Sequence, residues 1–300
     1  MERMHQSVLL QEVIEFLNIS ESGNYFDGTF GEGGHSEAIL KKAMCQVVAF
    51  DRDKDAIDTY QAQGAFKSDP RLKLIHARFS SLNEQLPQTQ WDGAILDLGV
   101  STRQLLTGER GFSFSADGPL DMRMDKSDES KLSDYLEALD AEELANALYA
   151  NTGMHTSRAV GRRLKRWWAE RKGDSTAELA KLFGPKRGKT HPATEAFMGL
   201  RMLVNEELQE IERAVPILIE KLKPGARLVV ITFHSTEDRL VKRLFQKLSG
   251  KCICGKMICE CTGPAIVKNL TKKVITASQD ELERNPRARS AKLRCVEKLT

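Results

Sequence analysis

The chain lacks any apolar run approaching the roughly 20 residues needed to cross a bilayer. Its first residues, Met1-Glu2-Arg3-Met4-His5, lack the charged and apolar regions of a secretory signal. Both absences lead to the expectation of a cytoplasmic protein. Cysteine is scarce, with six in 300 residues, which excludes a disulfide scaffold. Strong net charge is missing too: at +3, any nucleic-acid surface has to come from segregated charge. There is no internal repeat and no low-complexity tract. What remains, 41% hydrophobic and 29% charged, is the composition of a globular protein with one large domain or two ordinary ones.

The organising stretch is Tyr25-Phe26-Asp27-Gly28-Thr29-Phe30-Gly31-Glu32-Gly33-Gly34-His35-Ser36. A short aromatic strand ends at an acid, turns through four glycines, and enters a helix at Ser36-Glu37-Ala38-Ile39-Leu40. Glycines permit a sharp turn and a ligand lying against the backbone. Open α/β sheets build nucleotide sites this way after the first strand. Ahead of it, Ser7 is placed to cap a helix with Leu9, Leu10, Val13, Ile14 and Leu17 on one face. Further strands follow at Gln46–Asp51, Leu72–Phe79 and Trp91–Asp97. Asp51 ends the second strand, where a carboxylate suits a ribose diol, and Asp97 ends the fourth. Phe79 is placed to lie beside an adenine ring, or in the core.

The alternation stops from about Leu105 to His191, which reads as a helical insertion with capping patterns at Asp140 and Ser175 and stops at Gly153 and Gly184. Its charge is polarised. From Leu105 to Met154 there are 11 acids and 4 bases; from His155 to His191 there are 11 bases and 3 acids. The bases are Arg158, Arg162, Arg163, Lys165, Arg166, Arg171, Lys172, Lys181, Lys186, Arg187 and Lys189, with Trp167 and Trp168 interleaved. Arginine density with aromatics suits phosphate contact and stacking; a solvated basic helix is the plainer alternative. The α/β pattern resumes with a long helix bearing Phe197, Leu200, Val204, Leu208 and Ile211, expected to break or restart at Pro216. A fifth strand at Arg227–Phe233, a helix capped from Ser235 to Asp238, and last strands at Lys273–Thr276 and Ala291–Val296 complete the pattern. Cys252, Cys254, Cys259 and Cys261 are spaced more tightly than the usual zinc pairs, so zinc, redox pairing and a reduced loop all stay open.

The loop reads Gly31-x-Gly33-x-x-Ser36, so a dinucleotide fingerprint lacks its third glycine. S-adenosylmethionine has no phosphate. It needs close backbone approach, a ribose acceptor and an adenine slot, which Gly33-Gly34, Asp51 and Phe79 offer. That favours a methyltransferase over an NAD-dependent enzyme, with a non-enzymatic RNA-binding factor as the second alternative.

Several stretches then match one family nearly end to end. They are His5-Gln6-Ser7-Val8-Leu9-Leu10, Asp27 to His35, Asp51-Arg52-Asp53, Leu96 to Ser101, Glu109-Arg110-Gly111-Phe112-Ser113-Phe114, Asp117 to Asp125, His191-Pro192-Ala193-Thr194, Phe233-His234-Ser235 with Glu237-Asp238-Arg239, and Asn285 to Ser290. The chain resembles the bacterial enzymes that methylate N4 of a cytosine in small-subunit (16S) ribosomal RNA. The resemblance implies an α/β class I, Rossmann-like S-adenosylmethionine-dependent methyltransferase sheet at 1–104 and 192–300. The insertion at 105–191 would recognise RNA. It implies a cofactor site of Gly33, Gly34, His35, Asp51, Phe79, Asp97 and Gln104; no metal site is assigned, and the four-cysteine cluster resembles one seen in only part of the family. The target cytosine would lie in the decoding region, in rRNA or the small subunit, with the enzyme a monomer or a homodimer. Candidates for handling the flipped base are Phe112 and Phe114 by stacking, and Asp117 and Asp121 as acceptors for the amine. A network of those acids with Arg110 and Arg123 is the competing expectation. Thr102-Arg103-Gln104 departs from the family's common Ser-Pro-Gln, and Gly153-Met154-His155-Thr156 from its Gly-Glu-Glu.

Overall fold

The computed structural model describes residues 7–170, 173–186, 191–254 and 263–300. His5, Gln6, Arg171, Lys172, Arg187, Lys189, Cys259 and Cys261, all named above, lie outside the described residues. Among the described residues no helix is long and apolar enough to cross a membrane.

Among the described residues seven strands form one sheet: β1 (Asn24–Asp27), β2 (Gln46–Asp51), β3 (Leu72–His76), β4 (Trp91–Asp97), β5 (Leu222–Thr232), β6 (Val267–Asn269) and β7 (Lys292–Lys298). Their order is β3-β2-β1-β4-β5-β7-β6. β7 runs antiparallel to β5 and β6, while β1 to β5 pair in parallel. Phe26, Val47, Ala49, Phe50, Ile95, Leu96, Val229 and Val230 are all fully buried. Strands of this composition need both faces covered, which is the physical reason for the parallel, helix-flanked sheet. This is an open, Rossmann-like α/β sheet of the kind expected. Its order reverses between β1 and β4, so ligands are expected outside the carboxyl ends of these strands.

The chain splits into two compact units, Met1–Gly99 with Gln209–Thr300, and Val100–Leu208. The second is wider than the 105–191 expected. The first half of the sheet unit carries α1 (Leu10–Leu17), α2 (Gly34–Lys42), α3 (Lys54–Gln63) and the short α4 (Leu82–Gln85). The second unit holds α5 (Thr102–Leu106), α6 (Leu132–Ala138), α7 (Ala141–Thr152), α8 (Ser157–Ala169), α9 (Thr176–Lys181) and α10 (Ala193–Asn205). Leu132, Leu136, Leu144, Leu148, Leu164 and Leu200 meet in its own core. α7 begins and ends as its residues dictate: Asp140 accepts from Glu142 and Glu143 N–H, and Gly153 stops it at φ 78°. After α11 (Glu207–Lys221) the chain returns to the sheet unit with α12 (Ser235–Leu248) and α13 (Gln279–Arg284).

Four local expectations are corrected. Ser7 does not cap α1; Leu9 is its N-cap at φ 53°, and Leu9 N–H donates to Glu281 Oε1 of α13 at 2.7 Å. That partner is distant in sequence and leaves no local signal. The long helix breaks at Glu206 (φ 50°), not at Pro216, which lies inside α11. Buried Asn205 accepts from Met124 N–H and donates to the Met122 carbonyl, fixing the end of α10. Val215, Leu218 and Ile219, each almost wholly buried, hold α11 across its proline. α12 is capped by His234, one residue early, with Glu237 reaching back to its N–H. Lys273–Thr276 makes only an isolated bridge, Ile275 to Leu293, and Val267–Asn269 takes the sheet edge instead.

Candidate cofactor site

The turn after β1 is stitched to its neighbours on both sides. Gly28 N–H donates to the Ile95 carbonyl and Phe30 N–H to the Phe50 carbonyl. Thr29 Oγ1 accepts from Asp97 N–H at 2.6 Å. Gly33 caps α2 at φ 86°, and a Cβ there would lie 2.5 Å from the Tyr60 ring. Only glycine fits, which leaves bare backbone at the mouth of the turn. From Asp27 to Ser36 the stretch holds two acids, Asp27 and Glu32, and no lysine or arginine.

Carboxyl groups line the strand ends. Asp51 Oδ2 accepts from Gly31 N–H at 2.6 Å and Oδ1 from Asp53 N–H at 2.7 Å. Each oxygen keeps a further lone pair. Phe79 is half-buried in a single turn after β3, with its Cβ 2.9 Å from where a Cβ on Gly28 would stand. Asp27, buried, accepts from Ser36 Oγ at 2.7 Å and Thr29 N–H at 3.1 Å. His35 Nε2 is 3.0 Å from the Val8 carbonyl, and Nδ1 is 3.6 Å from Asp97 Oδ2. A carbonyl only accepts, so Nε2 carries a hydrogen. Asp97 Oδ1 is buried with no hydrogen-bond partner among the described residues.

Burial raises these acids. Asp27 and Asp51 are pushed up to about 6, chiefly by loss of solvent, with their backbone and side-chain donors pulling the other way. Asp97 stands well above the ordinary carboxylate range, by burial first and then by the charges of Asp27 and Glu237. Asp27 and Glu237 were not singled out as site residues in the sequence. The acid ending the first strand was visible there, whereas Glu237 read only as a cap.

The remaining candidates belong to the second unit. Gln104 is buried, and its Oε1 accepts from Ser101 N–H at 3.0 Å in the capping box of α5. Phe112 is buried beside the Arg110 guanidinium, 5.8 Å from its ring centre. Phe114 is half-buried against His191 and Phe197, with ring centres at 4.7 and 5.0 Å. Asp117 Oδ1 accepts from Ala177 N–H at 2.8 Å at the start of α9. Asp121 makes a two-pronged pair with Arg123, both contacts at 2.8 Å. Arg110 instead donates to the carbonyls of Arg123 and Met124. On α8, Trp167 is core, Trp168 Nε1 donates to Glu137, Lys165 to the Leu136 carbonyl and Arg163 to the Leu182 carbonyl. Arg158, Arg162 and Arg166 remain exposed. Cys252 and Cys254 are exposed, with sulfurs 3.4 Å apart. Among the described residues no three His, Cys, Asp or Glu side chains are grouped to hold a metal.

Residues 2–299 match the model of the MraW methylase family. A ribosomal RNA small subunit methyltransferase H from Magnetococcus marinus is 43% identical over 309 residues, covering 98% of each chain. Its counterpart from Carboxydothermus hydrogenoformans is 40% identical, covering 100% of this chain and 99% of its own. That from Acinetobacter baylyi is 41% identical over 98% and 99%. With its whole length matched at such identities, the chain belongs to the MraW methylase family.

Proposed function

We propose that this protein methylates the exocyclic N4 amine of a cytosine in the decoding region of 16S ribosomal RNA, in the cytoplasm. S-adenosylmethionine is the methyl donor, and supplies an electrophilic methyl group on a positively charged sulfur. The observation that carries the reading is the acid-lined turn, which has no lysine or arginine of its own. Asp27, Asp51 and Asp97 sit at the carboxyl ends of β1, β2 and β4, around a stretch without lysine or arginine. Such a site suits a cationic, phosphate-free ligand and opposes a pyrophosphate.

Gly33 and Gly34 offer close backbone approach, and Asp51 accepts from the ribose hydroxyls with the lone pairs its backbone donors leave. Phe79 flanks the adenine. His35, Asp97 and Gln104 follow from the family resemblance. Methylation of the amine joins nitrogen to the methyl carbon as the carbon–sulfur bond breaks, its electron pair returning to sulfur. The cationic nitrogen then gives up a proton. Asp97 Oδ1, raised in affinity for a proton and lacking a hydrogen-bond partner among the described residues, is the acceptor we assign. Asp117 and Asp121 already hold a helix start and an arginine. Of the two aromatics, Phe114 is the one we assign to the base, because it is only half-buried whereas Phe112 is buried.

The test maps methylated cytosines in 16S rRNA with and without the protein, and identifies the modified atom by mass spectrometry of the nucleoside. A lost N4 mark in the deletion strain, restored by wild type and not by Asp97→Asn, is the expected result. An unchanged methylation map ends the reading.

A further inference from the structure

The sheet unit has a second charged surface, far from the glycine turn along the chain. From Arg239 to Lys251 there are five bases and no acid: Arg239, Lys242, Arg243, Lys247 and Lys251. From Gly263 to Lys273 there are three more, Lys268, Lys272 and Lys273, again without an acid. The fold brings these two stretches to one place. α12 lies over β6 and β7, and Ile266 N–H donates to the Leu248 carbonyl. Between them is an open cleft of about 410 Å³ rimmed by Lys242, Lys251, Lys268 and Lys272.

Two features separate this cleft from an ordinary solvated face. First, the four lysines are exposed and form no ion pair among the described residues. Other lysines of the same unit are paired: Lys54 with Asp58 at 2.7 Å, Lys223 with Asp92 at 2.8 Å. Four like charges converging on one cleft repel one another, and a polyanion relieves that repulsion. Second, the described acids nearest the cleft are already engaged: Asp238 binds buried Arg294, Nε to Oδ1 at 2.7 Å, and Glu297, opposite Lys268 on β7, binds Arg227 at 3.1 Å, so neither is paired with a cleft lysine.

The position suits a long substrate. Asp97 pairs with Ile231, which pairs with Leu293, whereas Asn269 in the cleft pairs with Val296. From Asp97 on β4 to β6 is three strand spacings, about 14 Å, and the descent along β7 is about 10 Å. A few nucleotides of RNA cover such a separation. We infer that this cleft binds the phosphodiester backbone of the RNA substrate, as a contact of the sheet unit in addition to any made by the basic helix α8. The occupant rests on the functional reading above; the cleft and its unpaired charge do not.

The test replaces Lys242, Lys251, Lys268 and Lys272 together by glutamine and measures binding of labelled 16S rRNA against salt. With about 0.7 of slope per phosphate neutralised on a single strand, the plot of log affinity against log salt should flatten by about 3. At 0.1 M salt affinity should fall at least about tenfold, KM should rise with kcat kept, and S-adenosylmethionine affinity should hold. An unchanged slope overturns the inference. Should the variant not fold, lysine acylation of the wild-type protein, read by mass spectrometry, replaces it. RNA should shield these four lysines and leave Lys54 reactive. Equal reactivity, or shielding by micromolar inorganic pyrophosphate as complete as by RNA, overturns it too. Shielding by rRNA in a protein that leaves no N4 mark would retain the cleft and sink the proposed reaction instead.

Discussion

Asp51 is the position where structure sets a magnitude most directly. Its two oxygens accept Gly31 N–H and Asp53 N–H at 2.6 and 2.7 Å, leaving lone pairs for a ribose diol. Asp51→Ala therefore removes two things at once. Loss of hydrogen bonds from ligand hydroxyls to a charged acceptor is worth about 1.5–3 kcal/mol, or about 10- to 150-fold in affinity. The two backbone donors also lose their acceptor, at about 1–3 kcal/mol each if water does not reach them. The variant should be less stable, yet folded. Titration calorimetry with S-adenosylmethionine, beside a urea melt of the ligand-free protein, separates the two losses. Unchanged affinity in a variant shown to be folded refutes the assignment of Asp51 to the ribose. Weakened affinity with unchanged stability refutes the role given to its backbone donors.

Asp27 and Asp51 bind a proton more tightly in the folded chain, up to about 6, than in the unfolded one. Their contribution to stability is present below the ordinary carboxylate value and is lost as pH rises through about 6, so urea midpoints of the ligand-free protein should fall between pH 5 and 7, less steeply in Asp27→Asn. Phe114→Ala should slow single-turnover methylation by the equivalent of about 1–3 kcal/mol of base stacking with cofactor affinity kept; a wild-type rate removes it from the base. Phe112→Ala should instead cost about 3–5 kcal/mol of stability, as a buried ring does, seen as a lowered melting temperature. Arg162→Ala with Arg166→Ala should flatten the salt dependence of RNA binding by about 1.4, and an unaltered slope returns α8 to the solvated-face reading.

The sheet was legible because its signals are local. Gln46–Asp51 and Trp91–Asp97 are apolar runs closed by an acid, and both strands have the expected bounds. The caps at Asp140 and Ser175 were legible for the same reason. What could not be read was set by distant partners. Leu9 is held by Glu281, and Asn205 by the backbone of Met122 and Met124. The edge strand illustrates the same limit. Lys273–Thr276 has better strand composition than Val267–Asn269, yet the latter pairs with the end of β7. The basic helix was legible as charge but not as geometry: Trp167 fills the core and Arg163 and Lys165 tie down carbonyls, leaving fewer free cations than the count implied. The charge around α12 and β6 is not legible in the sequence because it comes from two segments that only the fold joins.

His35 and Asp97 show why the site's chemistry needs three dimensions. Because Nε2 must donate to the Val8 carbonyl, a neutral imidazole turns a lone pair toward the Asp97 carboxyl, 3.6 Å away. A lone pair facing a carboxylate is repulsive, so one proton belongs to the two groups together. It lies on the imidazole, making an ion pair, or on the carboxyl, as the raised proton affinity of Asp97 favours. Asp27 and Glu237 add negative charge to that pair, and their effect reverses when a sulfonium enters: the charge that makes Asp97 hold its proton then attracts the ligand. A cationic methyl donor should therefore release a proton on binding at pH 6, and its neutral sulfide product should release less. Calorimetry in two buffers of different ionisation enthalpy measures that difference. Equal proton release for donor and product would mean that the acids at these strand ends do not sense the charge on sulfur.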